Sequence, residues 1–216
     1  MKLHGYFRSS ATYRVRIALN LKGLAAEAVV VDLRAPASAQ HAPQFRALNP
    51  HGLIPVLTDG AHTLTQSLAI IEYLEETHPE PPLLPRAAAA RAQVRSLALA
   101  VACDIHPLNN LRVLDYLRSP LGHDEAAISA WYAHWIAVGF TALEEQARRL
   151  SGDDRHLYGT SVTLADVCLV PQMYNAQRFR CDVEPYPTLR AICAHLESLP
   201  AFARAAPQAQ PDAPPA

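Results

Sequence analysis

A chain of 216 residues, half of them apolar, can hold one domain or two small ones with real cores, and its formal net charge of −1 argues against binding driven by nucleic-acid phosphates. Met1-Lys2 leads into a strand-like run, and no apolar window of roughly 18 residues suggests a membrane span, so a cytoplasmic protein with no membrane or nucleic-acid partner is expected. The four cysteines, Cys103, Cys168, Cys181 and Cys193, form no CxxC pair and no zinc spacing; they read as reduced thiols, and no metal is expected.

Lys2 to Tyr6 reads as a first strand. Val15, Ala18 and Leu19 then recur at helical spacing, and Lys22-Gly23 reads as the last turn and stop. Between strand and helix lies Phe7-Arg8-Ser9-Ser10-Ala11-Thr12, which places Ser9 and Ser10 at a helix start. A hydroxyl there can cap free backbone N–H groups, and the same N–H groups and helix dipole favour an anion such as a thiolate. On the local sequence alone, capping is the ordinary role.

Glu27 to Val31 reads as a second strand, parallel to the first if the helix is its crossover. Asp32 to Pro43 is a polar, Ala/Pro-rich loop. Pro50 and Gly52 make a turn, and Pro55 stands at the entry of a short strand, Val56-Leu57-Thr58. A cis peptide before Pro55 would leave the Ile54 backbone free to pair with a ligand; a trans proline opening an edge strand accounts for the sequence as well. Asp59-Gly60 signals a hairpin back through His62-Thr63-Leu64. Thr65-Gln66-Ser67 then opens a helix with Ser67 as its capping residue, Leu68, Ile70, Ile71 and Leu74 inward, and Glu72, Glu75 and Glu76 toward water. Its free N–H groups would suit a carboxylate.

Four prolines in the eight residues from His78 to Pro85 cannot continue a helix or a central strand and read as a linker. The expected organisation is an α/β domain at 1–80 in βαβ–ββα order, a linker at 81–87, an all-helical domain at 88–205 and a loose tail at 206–216. In the helical part, Val94, Leu97, Val101, Ile105 and Leu108 predict a long helix that Pro107 kinks, with Cys103 as packing. Glu125 to Leu150 predicts a helix with Trp131, Trp135 and Val138 on one face. Thr163 to Asp166 is a capping-box signal that opens a buried-looking run ending near Phe179, and Pro187 to Leu199 is a last helix.

This order of elements resembles the cytosolic glutathione transferases, with a thioredoxin-like domain followed by a helical one. Phe7-Arg8-Ser9-Ser10 with Arg14 to Leu19, Ala47 to Pro50, Gln66 to Glu76, Ile105-His106-Pro107-Leu108 through Leu114, Leu164-Ala165-Asp166 through Gln172, and Asn175-Ala176 with Arg178-Phe179 resemble more narrowly the zeta class, which includes maleylacetoacetate isomerase. The resemblance covers nearly the whole chain and implies glutathione as cofactor. Carried over residue by residue, Ser9 donates to the glutathione thiolate and Ser10 flanks the tripeptide. Ile54, before an expected cis-Pro55, pairs with the cysteinyl backbone. Gln66 and Ser67 hold the γ-glutamyl carboxylate, and Gln40 is a further contact. His106, Asn110 and Arg112 face the site from the second domain. The resemblance also implies a homodimer. One position departs from the family pattern: the serine pair is usually followed by cysteine, and here Ala11 stands there.

The implied activity is glutathione-dependent cis–trans isomerisation, of maleylacetoacetate first. Maleylpyruvate is the alternative toward which Ala11 leans. A broader transferase acting on electrophiles such as α-halo acids, or a glutathione-binding module without turnover, are further readings. Isomerising a cis enedioate needs reversible addition of a nucleophile, and the dianionic substrate and its developing enolate call for cations. Arg8, Arg112 and Arg178 are the candidates, although a solvated surface position is the usual fate of an arginine.

Overall fold

The computed structural model describes residues 1–34 and 38–214; residues 35–37 of the predicted loop and 215–216 of the predicted tail lie outside the described residues. The chain divides into two units, Met1–Pro82 with Leu199–Ala216, and Leu83–Ser198.

In the first unit β1 (Lys2–Gly5), α1 (Ser10–Leu21) and β2 (Glu27–Val30) form the parallel crossover, with Leu3 beside Ala28. After a short helix α2 (Pro43–Leu48), β3 (Val56–Asp59) runs antiparallel to β1 and turns through Gly60, at φ +56°, into β4 (His62–Thr65). The mixed sheet has strand order β2-β1-β3-β4. α1 and α3 (Ser67–Thr77) bury Val15, Ile17, Ile70, Ile71 and Leu74. Gly5 is required by packing, because a Cβ there would run into the Thr12 methyl group.

Glu75, expected in water, is buried and paired with Lys22, whose ammonium donates to Glu75 Oε2 at 2.7 Å and to the carbonyls of His78 (2.7 Å) and Pro81 (3.1 Å). The sequence pattern hid this because the four-carbon Lys22 stem carries its charge inward from the end of α1. In the expected tail, the described residues include a turn at Pro207–Ala209 and Asp212, which accepts the Phe7 N–H at 2.9 Å. After α8 (Pro187–Ser198) the chain breaks at Leu199 and forms α9 (Pro200–Ala205), which belongs to the first unit. Phe202 and Ala205 are fully buried, Asn20 Nδ2 donates to the Ala201 carbonyl (2.9 Å), and Arg16 Nε donates to the Ala205 carbonyl (2.9 Å). Pro207 to Ala209 add a single 3₁₀ turn.

The second unit is built from α4 (Ala88–Leu99), α5 (Leu111–Arg118), α6 (Glu125–Leu150), α7 (Leu164–Arg178) and α8. The long helix expected through Pro107 does not continue. α4 widens into a π-helical turn, Ala100–Ile105, with the His106 N–H reaching the Val101 carbonyl, and the chain restarts at α5 capped by Asn110. The turn leaves Cys103 exposed rather than packed. Ile105 seats against Gly139 of α6, where any Cβ would collide with it. By length and apolar content α6 could cross a membrane, contrary to expectation, but Ile128, Tyr132, Ile136, Phe140, Leu143 and Ala147 pack along it inside this unit. That seam replaces the expected Trp131–Trp135–Val138 face, of which Val138 is 52% exposed.

The capping box forms at α7: the Thr163 N–H and hydroxyl donate to Asp166 Oδ2 (2.7 and 2.9 Å), and the Leu157 N–H donates to Oδ1 (2.7 Å). Glu144 of α6 performs a similar service for α8, accepting the Thr188 and Leu189 N–H groups at 3.0 Å each.

Candidate functional site

β1 ends at Gly5, and the chain turns tightly so that the Ser9 N–H donates to the Tyr6 carbonyl at 3.0 Å. Ser9 is the N-cap of α1: its hydroxyl oxygen accepts the Thr12 N–H (3.2 Å) and its carbonyl accepts the Tyr13 N–H (2.8 Å). Capping and ligand binding are not rivals here. A hydroxyl that accepts one hydrogen bond still has its own proton to donate. Ser9 is half-buried, whereas Ser10 is buried as the first residue of α1. Arg8 is half-buried, with its guanidinium 5.1 Å from the Phe7 ring centroid and 5.8 Å from that of Tyr6.

The Ile54–Pro55 peptide is cis, and the β3 ladder begins only at Val56, so Ile54 stands outside it. Gln40 sits in a short turn against Gly52; its amide oxygen is buried and has no hydrogen-bond partner among the described residues. An unpaired buried acceptor costs about 1–3 kcal/mol, and a ligand donor would recover it. Gln66 has φ +68° and ψ 117° immediately before α3. Holding a non-glycine residue there costs about 1–3 kcal/mol, which the surrounding structure must over-determine. Gln66, not Ser67, is therefore the cap-position residue of α3. Ser67 is its first helical residue, and its hydroxyl accepts from Arg14 Nη1 at 3.3 Å. Arg14, buried in α1, thus ties the starts of α1 and α3.

In the second unit His106 is half-buried just after the π-helical turn, and Asn110 caps α5 by accepting the Arg112 N–H at 3.2 Å. Arg112 is exposed on the first turn of α5. α6 pins this segment: the Trp131 indole N–H donates to the Leu108 carbonyl (2.8 Å) and Asn109 Nδ2 donates to the Tyr132 carbonyl (3.2 Å). The Tyr132 ring stacks on Phe179 with centroids 3.8 Å apart, and the Arg178 guanidinium lies 4.3 Å from that ring on the outer end of α7. Within this unit the expected motifs around His106 and Arg178 are thereby linked through α6.

Residues 3–82 match the family model of the glutathione S-transferase N-terminal domain. A probable maleylacetoacetate isomerase of Vibrio cholerae is 55% identical over 98% of this chain and 97% of its own. The holo structure of a maleylpyruvate isomerase, described as a bacterial zeta-class glutathione S-transferase, is 50% identical and superposes with a TM-score of 0.96 over 99% of this chain and 100% of that one. The maleylacetoacetate isomerase of Methylobacterium extorquens AM1, solved with malonate and glutathione bound, is 44% identical with a TM-score of 0.94 and full coverage of both chains. The chain belongs to the zeta class of glutathione transferases.

For a zeta-class chain the geometry adds residues that the motifs did not single out. Arg14 was legible only as part of a motif, and its grip on Ser67 needed three dimensions. Trp131 and Tyr132 carried no sequence signal beyond helical periodicity, and Asn109 was legible only as part of the Ile105 to Leu114 motif.

Proposed function

We propose that this protein catalyses glutathione-dependent cis–trans isomerisation of a maleyl-substituted keto acid, maleylacetoacetate first. The observation that carries the reading is Ser9: a half-buried hydroxyl at the start of α1 whose oxygen is engaged by Thr12 and whose proton is left to donate. A thiol of ordinary pKa about 8.5 is mostly protonated at neutral pH. One hydroxyl bond to the anion contributes about 1.5–3 kcal/mol and the helix terminus up to about 1, so one to two units of depression are within reach. Bound glutathione supplies a thiolate that adds to the double bond and leaves again after rotation.

In this reading the first unit holds glutathione through Ser9, Ser10, Gln40, Ile54, Pro55, Gln66 and Ser67. The zeta-class resemblance assigns His106, Asn110 and Arg112 of the second unit a part in ligand binding as well. Arg8 and Arg178 lie with their guanidinium groups against aromatic rings, which orients the planes, and Arg8 Nη2 also donates to the Tyr6 hydroxyl at 3.4 Å. With Arg112 they are assigned to the substrate carboxylates. The malonate beside glutathione in the Methylobacterium relative supports a dicarboxylate. Maleylpyruvate is the second reading, favoured by the relative that isomerises it and by Ala11, which leaves no protein thiol beside the serine pair. The protein is also assigned a cytoplasmic location and a two-fold homodimer, testable by sedimentation at micromolar concentration.

The test is an isomerase assay on maleylacetoacetate and on maleylpyruvate, each with and without glutathione. Turnover of maleylacetoacetate that needs glutathione and is largely lost in Ser9→Ala is the expected result. Turnover without glutathione overturns the mechanism, and turnover of maleylpyruvate alone moves the assignment to the second reading.

A further inference from the structure

Several backbone polar groups of the turn that presents Ser9 are bound locally. The Tyr6 carbonyl takes the Ser9 N–H at 3.0 Å, and the Ser9 carbonyl takes the Tyr13 N–H at 2.8 Å. The Phe7 carbonyl takes Arg16 Nη2 at 2.9 Å. One partner is not local: the Phe7 N–H donates to Asp212 Oδ2 at 2.9 Å, from 205 residues away. Phe7 is buried, so this N–H has no easy substitute in water. Arg16 joins the same arrangement, holding Phe7 on one side and the Ala205 carbonyl on the other. Burial pulls the Arg16 guanidinium down to about 10, and the nearby Asp212 charge works in the opposite direction. A small cavity bounded by Tyr6, Thr12, Arg16 and Asp212 lies at this junction.

We propose that Asp212 is a positioning residue for the isomerase site: the returning C-terminal segment, fastened at Phe7 by Asp212 and at Ala205 by Arg16, sets where the Ser9 hydroxyl stands. The inference rests on the reading of Ser9 as thiolate donor. Its chemistry is a single charge-assisted hydrogen bond to a peptide N–H two residues before the donor. Releasing it lets the Tyr6–Ser9 turn relax while α1 itself stays capped, so the loss falls on thiolate stabilisation more than on folding.

The test compares the full chain with Asp212→Ala, Asp212→Asn, Gln210→Ala and Ser9→Ala. Gln210 binds only carbonyls of its own segment, at Arg204 and Ala206. The readouts are the pKa of bound glutathione from thiolate ultraviolet absorbance, kcat/KM between pH 6 and 9, and Tm. Because a displacement near an ångström can cost up to about a hundredfold, Asp212→Ala is expected to raise the thiol pKa by about half a unit to one unit and to lower kcat/KM about tenfold at pH 6.5. The deficit shrinks toward pH 9, where the thiol ionises unaided. Asp212→Asn keeps an acceptor for Phe7 and restores activity to within about threefold, and Gln210→Ala leaves the thiol pKa unchanged. Should Asp212→Ala not fold, Arg16→Lys, which retains charge but loses the fork, is expected to shift the thiol pKa in the same direction. An unchanged thiol pKa in the Asp212 and Arg16 variants, alongside a raised one in Ser9→Ala, overturns the positioning role alone. An unchanged thiol pKa in Ser9→Ala overturns the Ser9 reading and this inference with it.

Discussion

At Ser9 the hydroxyl oxygen is already engaged by the Thr12 N–H, so replacing it removes two things at once. Loss of the cap costs about 1 kcal/mol of stability, and loss of the thiolate bond about 1.5–3 kcal/mol of anion stabilisation. Ser9→Ala should therefore lower Tm slightly and raise the bound thiol pKa by about one to two units, with turnover at pH 7 falling by about 10- to 100-fold. Ser9→Thr, which keeps the hydroxyl, should keep most of the activity. Arg178 invites a different test. Its place over Phe179 orients a planar fork, which lysine cannot reproduce. Arg178→Lys should raise KM for the dicarboxylate by about tenfold, leaving the glutathione dissociation constant unchanged in calorimetry. At this scale the sequence was readable where a residue's role is written in its neighbours, as at Ser9 before a helical run. It was unreadable at Lys22 and Glu75, which look like surface charges in any window of sequence and meet only when α1 and α3 pack.

Elements carry the next kind of prediction. Lys22 links the end of α1 to α3 and to the chain leaving it, with its side chain fully shielded from solvent. Lys22→Met removes the ammonium partner of the buried Glu75 carboxylate and should cost about 3–5 kcal/mol, a Tm loss near 10 °C, much of which Glu75→Leu in the same chain should recover. In the second unit Glu144 does for α8 what no residue adjacent in sequence does. Burial pushes its carboxyl up, but the Leu189 and Thr188 N–H donors and Arg148 outweigh burial and hold it below the ordinary carboxylate value. A carboxyl lowered by folding contributes stability that is present above its unfolded pKa and is lost as pH falls through the folded one. Glu144→Gln should thus destabilise the protein by about 1–3 kcal/mol at pH 7, and its urea midpoint should approach that of the parent as pH falls below the ordinary carboxylate range. The capping box at Thr163 was legible because both partners lie within four residues. The cap on α8 comes from 44 residues away, and no spacing rule reaches it.

On the scale of the whole chain, the order βαβ–ββα followed by helices was readable because each crossover and hairpin leaves local punctuation. What punctuation could not convey is that the chain crosses between its units twice, near Pro82 and again near Leu199. Proline density marked the first crossing. The second falls at Leu199, where the last helix was expected to end but the residues up to 205 were still assigned to the helical domain. The first unit is consequently not the product of the first 82 residues. Phe202 and Ala205 fill its core, and Arg16, Asn20 and Phe7 spend polar groups on residues 201–212. Losing one buried phenylalanine forfeits roughly 2–3 kcal/mol, and each buried polar group left unpaired costs about 1–3 more. That sum consumes much of the 5–15 kcal/mol that stabilises a typical domain. A fragment of residues 1–82 should accordingly give a low, broad urea transition and bind a hydrophobic dye. The same fragment joined by a flexible linker to residues 199–214 should recover a steep transition and lose the dye. Equal stability of the two fragments in urea would show that the returning segment merely rests on the first unit, and the placement of Ser9 would then owe it nothing.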